Sequence, residues 1–238
     1  MNRKKIFRWV KIALLLYGII GIAFYYGQDR LLFHPVPVDP KTAYAFPQAF
    51  TELNLNYDAA TNLNVVQFRA TDRPADSPAR GVFLYFHNGK GNIPLDTAGA
   101  GDVTKEGYEI WMLDYPGFGK STGSRKEADL YKYALVFYKL ARSRWKPLQI
   151  SIGGEGIGAA IATQLASVRD CRHLFLRDAD YSLTAAWRKY LFLYPVGTLL
   201  HYHFPTYQYL PAVTAPVTIA HSDNALKSLL KPGDTFIP

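Results

Sequence analysis

A strand that turns directly into a helix dominates the middle of this sequence. Residues 147–166 read PLQISIGGEGIGAAIATQLA: a short strand-like run (148–152), a glycine-rich turn, then an apolar helix with no proline and no charge before Arg169. So tight a turn needs small residues, because larger side chains on either side of its apex would collide with the strand or helix backbone. The pattern predicts an α/β fold with this turn at the carboxyl end of a strand.

The glycine spacing matches the nucleophile-elbow pattern G-x-S-x-G, with Gly154 and Gly158 as the outer glycines. The nucleophile position is then Gly156, so the turn has the pattern without its serine. Centring the pattern on Glu155 would put the β-branched Ile157 at a crowded position, which disfavours that register. Glu155 is therefore predicted to point away from the reacting face, solvated or paired.

The same turn also fits a dinucleotide-binding fingerprint, G-x-G-x-x-G/A. The match runs from Gly154 through Gly156 to Ala159, and Asp178 follows at the end of a predicted strand. This fingerprint normally opens the first strand-helix-strand unit of its domain, whereas strands and a helix precede it here. A nucleotide-binding domain is kept as an alternative interpretation.

The net charge of +8 is concentrated at the N-terminus. Six basic residues against one acidic residue give residues 1–30 a charge of +5, and the rest of the chain has no basic cluster. Nucleic acid is therefore not an expected partner. The 238 residues, 49% of them hydrophobic, suit one α/β domain, and the single Cys171 is expected to be a buried apolar residue.

The N-terminal segment, residues 1–27, is predicted to be a transmembrane signal anchor. Residues 12–26 are uncharged and mostly apolar, and Trp9 extends the run if Lys11 snorkels to the headgroups. A cleaved signal peptide is the alternative, but no small-residue cleavage site follows, and the aromatic residues 24–26 suit a membrane interface. Because the basic residues precede the span, the N-terminus is expected in the cytoplasm and the globular domain on the outer, periplasmic or extracytoplasmic, side.

Strand and helix patterns alternate after this anchor. Residues 28–49 form a connector that contains His34, and residues 50–238 form the globular domain, with a small cap-like insert around 181–209. The predicted elements are an antiparallel hairpin (50–57 and 63–69), buried strands (81–87, 108–114, 148–152, 173–177 and 216–221) and an amphipathic helix (127–144). This order predicts a mixed, mostly parallel sheet with helices on both faces.

Two polar loops follow predicted strands and so lie at the edge where open α/β sheets place their sites. One reads HNGKGN from His87, and the other reads DYPGFGKSTG from Asp114 and Tyr115. The second loop contains GKS, but a phosphate-binding loop needs glycine at the position that Asp114 occupies. Both loops are candidate site loops.

These segments resemble the α/β-hydrolase superfamily, and more narrowly its bacterial serine-aminopeptidase-like or acyl-esterase-like members with one N-terminal membrane anchor. The resemblance covers most of the chain from about Leu31. It is carried by LLFHP, YFHNGKGN, WMLDYPGFGKSTG, the turn and its helix, LASVRDC, and PTYQYL followed by APVTIAH. It implies ester or amide acyl hydrolysis, with backbone N–H groups of Asn88 and Ile157 as the oxyanion hole. The family loop usually reads His-Gly-Asn, whereas this chain has His87-Asn88-Gly89.

The resemblance also implies the chain order serine, acid, histidine, from which this chain departs. Gly156 replaces the serine, Asp223 is a candidate for the acid that also suits a helix cap, and no histidine follows Lys231, where the final strand should begin. These departures predict a C-terminally truncated, catalytically impaired hydrolase (a pseudoenzyme) that binds a small acyl ester, an amide or a peptide. An active acyl hydrolase with non-standard residues and a degenerate gene copy are the alternatives. No cofactor or metal is expected.

Overall fold

The computed structural model describes residues 3–71, 78–96 and 100–238, so residues 1 and 2 of the predicted anchor lie outside the described residues. The strands are β1 (His34–Pro35), β2 (Phe50–Asn56), β3 (Asn62–Phe68), β4 (Val82–Phe86), β5 (Lys90–Gly91), β6 (Glu109–Leu113), β7 (Ile150–Glu155), β8 (His173–Arg177), β9 (Val217–Ala220) and β10 (Thr235–Ile237). The α-helices are α1 (Arg3–Leu32), α2 (Ala100–Lys105), α3 (Glu127–Arg142), α4 (Ile157–Val168), α5 (Leu183–Arg188), α6 (Val196–Leu199) and α7 (Thr206–Tyr209). Short 3₁₀ helices lie at Ile93–Leu95, Pro147–Gln149, Leu210–Ala212 and Asn224–Leu229.

Eight of these strands form one mixed sheet in the order β10-β9-β8-β7-β4-β6-β3-β2. The strands from β10 to β6 run parallel, while β3 is antiparallel to β6 and pairs with β2 as the predicted edge hairpin. The remaining two strands, β1 and β5, form a separate parallel pair. The predicted mixed, mostly parallel sheet is confirmed.

The central strand β7 begins and ends later than the sequence pattern predicts. The segment Pro147–Gln149 is a 3₁₀ turn with proline in its first positions, so the strand starts at Ile150 rather than at residue 148. Extended backbone then continues through Gly153 and Gly154, because both glycines pair with the strands on either side, β4 and β8. The turn therefore falls at Gly156.

Helices pack on both faces of the sheet. On one face, α3 and α4 contribute to the main core with Leu84 of β4 and Ile152 of β7. On the other face, Val103 of α2 packs beside a smaller core that includes Phe68 and Met112. The predicted helix at 127–144 is present as α3, two residues shorter at its carboxyl end.

The N-terminal helix α1 has the length and composition needed to cross a membrane, and its most apolar stretch is not buried by the rest of the protein. It continues to Leu32, beyond the predicted end of the anchor at residue 27. The extension is held by the insert: Gln28 is 1% exposed, and its side-chain oxygen accepts a hydrogen bond from His201 N at 2.7 Å. The first turn of the predicted connector is thus helical.

Candidate functional site

The turn between β7 and α4 has its apex at Gly156. This residue is the N-cap of α4, with φ 56° and ψ −119°, a conformation that L-residues adopt at a cost of about 1–3 kcal/mol. Its N–H donates to the carbonyl oxygen of Arg177 at 3.0 Å, which fixes the turn against the end of β8. The apex is therefore held in a rare backbone conformation by the neighbouring strand.

The outer glycines are required by close backbone contacts. A Cβ on Gly154 would lie 2.2 Å from the carbonyl oxygen of Gly158, and a Cβ on Gly158 would lie 2.1 Å from that of Phe86. At Gly156, by contrast, a Cβ would meet only the Cβ of Asn88 within 4 Å, at an ordinary 3.5 Å. The turn thus leaves room for a side chain at the position where the elbow pattern has serine.

The loop after β4 brings Asn88 beside this apex. The Asn88 side chain donates to Glu155 Oε1 at 3.1 Å and accepts from Lys90 N at 2.9 Å, so its amide is already engaged. The glycine that follows is also required, because a Cβ on Gly89 would lie 2.6 Å from the carbonyl oxygen of Leu32. The end of α1 therefore lies against this loop at residue 89, and this contact requires the glycine that follows Asn88 in this chain.

Glu155 belongs to a polar cluster on the α2 side of the sheet. Its carboxylate forms an ion pair with Arg177, whose Nε donates at 2.7 Å, and it lies 3.4 Å from the Tyr85 hydroxyl. Burial, and then the charge of Glu155, raise the pKa of the nearby Asp96 to about 6. The register of β7 and β8 sets Glu155 beside Arg177. The sequence predicted that Glu155 would be solvated or paired but did not identify Arg177 as its partner, because no local pattern specifies this register.

His87, Asp114 and Tyr115 meet below the turn and are fully buried. His87 Nδ1 lies 2.5 Å from the carbonyl oxygen of Asn88, and Nε2 lies 3.6 Å from Asp114 Oδ1. The Tyr115 hydroxyl donates to the carbonyl oxygen of His87 at 2.8 Å. Desolvation lowers the pKa of His87 to about 4 and raises that of Asp114 to about 7.

This buried group is arranged to hold the two site loops together. Because Nδ1 of His87 faces a carbonyl oxygen, it is the ring nitrogen that carries the proton in the neutral imidazole. Asp114 Oδ1 accepts from Ile93 N at 3.0 Å, which ties the loop after β6 to the loop after β4. Neither side chain reaches solvent, so both act as structural supports in this geometry.

Asp223 lies just beyond the carboxyl end of β9. Its side chain accepts from Ala225 N at 3.0 Å and is the N-cap of the 3₁₀ helix Asn224–Leu229. A cavity of about 370 Å³ at this end of the sheet includes Asp223, Asp180 and His221 in its lining. The Asp223 carboxylate therefore caps this 3₁₀ helix, and its role as the acid of the site stays a prediction.

The histidines of the insert are engaged elsewhere. The ring of His201 packs edge-on against Tyr25 of α1, with centroids 4.4 Å apart. His203 Nδ1 lies 3.2 Å from Thr184 Oγ1, and the backbone N–H of His203 donates to Glu127 at 2.6 Å. Among residues 3–71, 78–96 and 100–238, no group of three or more His, Cys, Asp or Glu side chains is placed to hold a metal ion.

The solved structures similar to this chain include an esterase and an α/β-hydrolase. An esterase of Pyrococcus furiosus is similar over 86% of this chain and 87% of its own, with a TM-score of 0.60 at 13% identity. An α/β-hydrolase of Vibrio vulnificus is similar over 79% of this chain and 71% of its own, with a TM-score of 0.63 at 18% identity. The chain has the α/β-hydrolase fold.

Three curated sequence relatives match parts of this chain. An uncharacterized protein of Mycobacterium tuberculosis is 30% identical over 48% of this chain and 41% of its own length. The protein bem46 of Schizosaccharomyces pombe is 24% identical over 68% of this chain and 56% of its own. The lysophosphatidylserine lipase ABHD12 of Danio rerio is 33% identical over 35% of this chain and 22% of its own.

The chain thus spans about half the length, or less, of these curated relatives. No protein-family model matches it. These likenesses do not single out the serine-aminopeptidase-like branch, which stays a prediction. The nucleotide-binding alternative is not favoured by the fold, because β7 is preceded in this sheet by the strands β2, β3, β4 and β6.

Proposed function

We propose that this chain is a membrane-anchored α/β-hydrolase-fold protein that binds an acyl ester, amide or peptide ligand without hydrolysing it at the turn. The observation that carries the proposal is the apex at Gly156, which has the strained turn geometry and no hydroxyl. Acyl transfer through a covalent intermediate needs a nucleophile at that point and a base within hydrogen-bond reach. The esterase and the lysophosphatidylserine lipase among the similar proteins support acyl esters as the ligand class.

The buried histidine supports the same proposal. Nδ1 of His87 faces the carbonyl oxygen of Asn88, and the ring is sealed from solvent, so it is poorly placed to take a proton from an attacking group. The proposed oxyanion donors are the backbone N–H groups of Asn88 and Ile157. Such donors alone would retain binding and a weak residual rate rather than efficient turnover.

The proposed location is a membrane, with the N-terminus in the cytoplasm and the globular domain on the other side. This topology is supported by the apolar composition of α1 and by the basic residues Arg3, Lys4, Lys5 and Arg8 at its start. No cofactor is part of the proposal.

Hydrolysis of short-chain p-nitrophenyl esters by the full chain in detergent tests the proposal. We expect the unmodified protein, Gly156→Ser and Gly156→Ala to give the same background rate, with no labelling of the unmodified protein by a fluorophosphonate. The two variants are matched, because both add a Cβ at positive φ and only one adds a hydroxyl. Circular dichroism establishes that both are folded.

Two outcomes would contradict the proposal. Turnover by the unmodified protein that Gly156→Ala leaves unchanged would put an active site elsewhere in the chain. Fluorophosphonate labelling of the unmodified protein would reveal an activated nucleophile that the turn does not supply. Turnover gained by Gly156→Ser alone would instead show that a base lies within reach of the apex, and that the missing serine is what disables the site.

A further inference from the structure

The insert carries an exposed apolar loop between α5 and α6. Tyr190, Phe192 and Leu193 are 79%, 74% and 67% exposed, in a run without charge that reads YLFLYPV from residue 190 to 196. Arg188 and Lys189 come directly before it. Adjacent large apolar side chains at this exposure are unusual on a protein surface and mark a contact with a partner or a membrane.

This loop is fastened to the apolar half of α1. The rings of Tyr194 and Tyr17 are stacked, with centroids 4.3 Å apart and planes 2° from parallel. The Tyr17 hydroxyl donates to the carbonyl oxygen of Leu193 at 2.9 Å, and the Tyr194 hydroxyl donates to that of Tyr17 at 2.8 Å. The Tyr194 ring lies over Gly21, where an added Cβ would come within 3.0 Å of it.

The position of these contacts along α1 sets the depth of the loop. Tyr17 precedes the aromatic pair Tyr25 and Tyr26 by eight to nine residues, which at 1.5 Å per residue corresponds to about 12–14 Å along the helix. The hydrocarbon core of a bilayer is about 30 Å thick, so one leaflet contributes about 15 Å. If Tyr25 and Tyr26 lie at the interface, a loop fixed to Tyr17 and Gly21 lies within that leaflet.

We propose that residues 190–195 insert into the membrane leaflet nearest the globular domain, as a second membrane contact beside α1. The partner is the lipid bilayer: acyl chains surround Phe192 and Leu193, and the headgroups receive the cationic side chains of Arg188 and Lys189. This inference rests on the proposed anchor. It goes beyond that anchor because it makes the insert a membrane-bound element of the domain.

Part of the backbone of the loop is hydrogen-bonded within the protein. The N–H groups of Tyr190 and Leu191 donate to the carbonyl oxygen of Trp187, each at 3.0 Å, and that of Tyr194 donates to Leu191 at 2.9 Å. The carbonyl oxygen of Leu193 is occupied by the Tyr17 hydroxyl. These bonds matter because an unpaired backbone group in hydrocarbon costs several kcal/mol.

Continuity with α1 favours lipid over a protein partner. The loop contacts α1 at Tyr17 and Gly21, and this stretch of the helix also carries exposed apolar residues such as Ile22, which is 62% exposed. A protein that covered the loop would also have to compete with lipid for the adjoining helix surface. A second copy of the chain or another protein is therefore an outcome to be distinguished by the test.

Depth-dependent fluorescence quenching tests the proposal in the full chain. An environment-sensitive NBD group is attached at Phe192→Cys, Ile20→Cys or Leu148→Cys, each in a Cys171→Ala background. The protein is reconstituted in vesicles of phosphatidylcholine mixed with phosphatidylglycerol, with or without lipids that carry a doxyl quencher on the acyl chain. Leu148 is the control, because it is 76% exposed and lies in the turn before β7.

We expect blue-shifted emission and doxyl quenching at positions 192 and 20, and neither at 148. Quenching at 20 but not at 192 would overturn the inference and leave the anchor intact, whereas quenching at neither would mean that the anchor itself is wrong. A blue shift at 192 without lipid quenching would show that protein covers the loop, which also overturns the inference.

A pair of matched glycine variants tests whether contact with α1 holds the loop in place. Gly21→Leu displaces the Tyr194 ring, whereas Gly18→Leu adds the same side chain at a position with no atom within 4 Å of the new Cβ. In the labelled Phe192→Cys protein, we expect quenching to fall toward the level at position 148 in Gly21→Leu and to be unchanged in Gly18→Leu. Equal quenching in both variants would contradict the role assigned to Tyr194.

Discussion

Replacing Gly158 with alanine is expected to lower the free energy of unfolding by at least about 4 kcal/mol, or to prevent folding. The new Cβ would lie 2.1 Å from the carbonyl oxygen of Phe86 and 2.5 Å from that of His87. Both atoms belong to backbone at the end of β4, next to β7 in the sheet, so α4 must move away from the sheet. Alanine would otherwise favour the helix by about 1 kcal/mol, and this gain is far smaller than the cost.

Chemical unfolding of the full chain in detergent, followed by far-ultraviolet circular dichroism, measures this effect. Gly197→Ala is the matched control, because it makes the same change in α6 where the added Cβ meets no atom within 4 Å. Its free energy of unfolding should be within about 0.5 kcal/mol of the unmodified protein. A Gly158→Ala protein as stable as the control would contradict the close packing of α4 on β4.

Replacing Asp114 with asparagine is expected to make the protein more stable at pH 8 while leaving it nearly unchanged at pH 4. Burial raises the pKa of Asp114 from 3.8 to about 7. Between these values the folded protein holds a proton that the unfolded chain has released, so the contribution of Asp114 to stability falls as the pH rises. The full loss above pH 7 corresponds to about 4 kcal/mol, at 1.36 kcal/mol for each unit of pKa.

His87 contributes the opposite dependence. Its pKa is lowered from 6.5 to about 4, so the unfolded chain binds the additional proton between these values, and the contribution of His87 to stability falls as the pH drops. The two dependences oppose one another between about pH 4 and pH 6.5. Asp114→Asn removes the pH dependence that comes from Asp114 and leaves that of His87. The asparagine side chain can still accept the hydrogen bond from Ile93 N.

The free energies of unfolding of Asp114→Asn and of the unmodified protein are compared at a series of pH values. His87 is present in both proteins, so its contribution cancels in the difference. The difference should rise in favour of the variant from pH 4 to pH 8. Asp102→Asn, at a side chain that is 85% exposed, is the control and should show little change with pH. A difference for Asp114→Asn that is flat, or that falls with pH, would be evidence against a buried carboxylate.

The fold was predictable from the sequence because its signals are local. Each signal lies in residues that are close together along the chain. Examples are the alternation of residues 50–57 and 63–69, the apolar run at 81–87 and the glycine spacing around Gly156. The strand at 173–177 is present with the predicted bounds. The helix bounds near Leu32 were not predictable, because α1 is extended by contacts with Leu199 and His201, more than 170 residues away in sequence.

Parts of the candidate site depended on contacts that no local pattern reveals. The resemblance to the hydrolases, rather than any local pattern, implied that Asn88 lies beside the Gly156 turn, and strand order brings the two residues side by side in the structure. The pairing of Glu155 with Arg177 follows from the register of β7 and β8, which the sequence does not specify. Residue 89 must be glycine because the carbonyl oxygen of Leu32 lies close to it. Leu32 is the last residue of α1, whose predicted end was residue 27.

The contacts described along α1 divide this helix into two units of local unfolding. Tyr17, Phe24 and Gln28 all contact the insert, so the helix from Tyr17 onward opens only when the insert detaches. The turns before Tyr17 take no part in these three contacts, so they can fray toward Arg3 without breaking them. Transferring the protein from bilayer to water would therefore melt the start of α1 first and leave its second half folded with the domain.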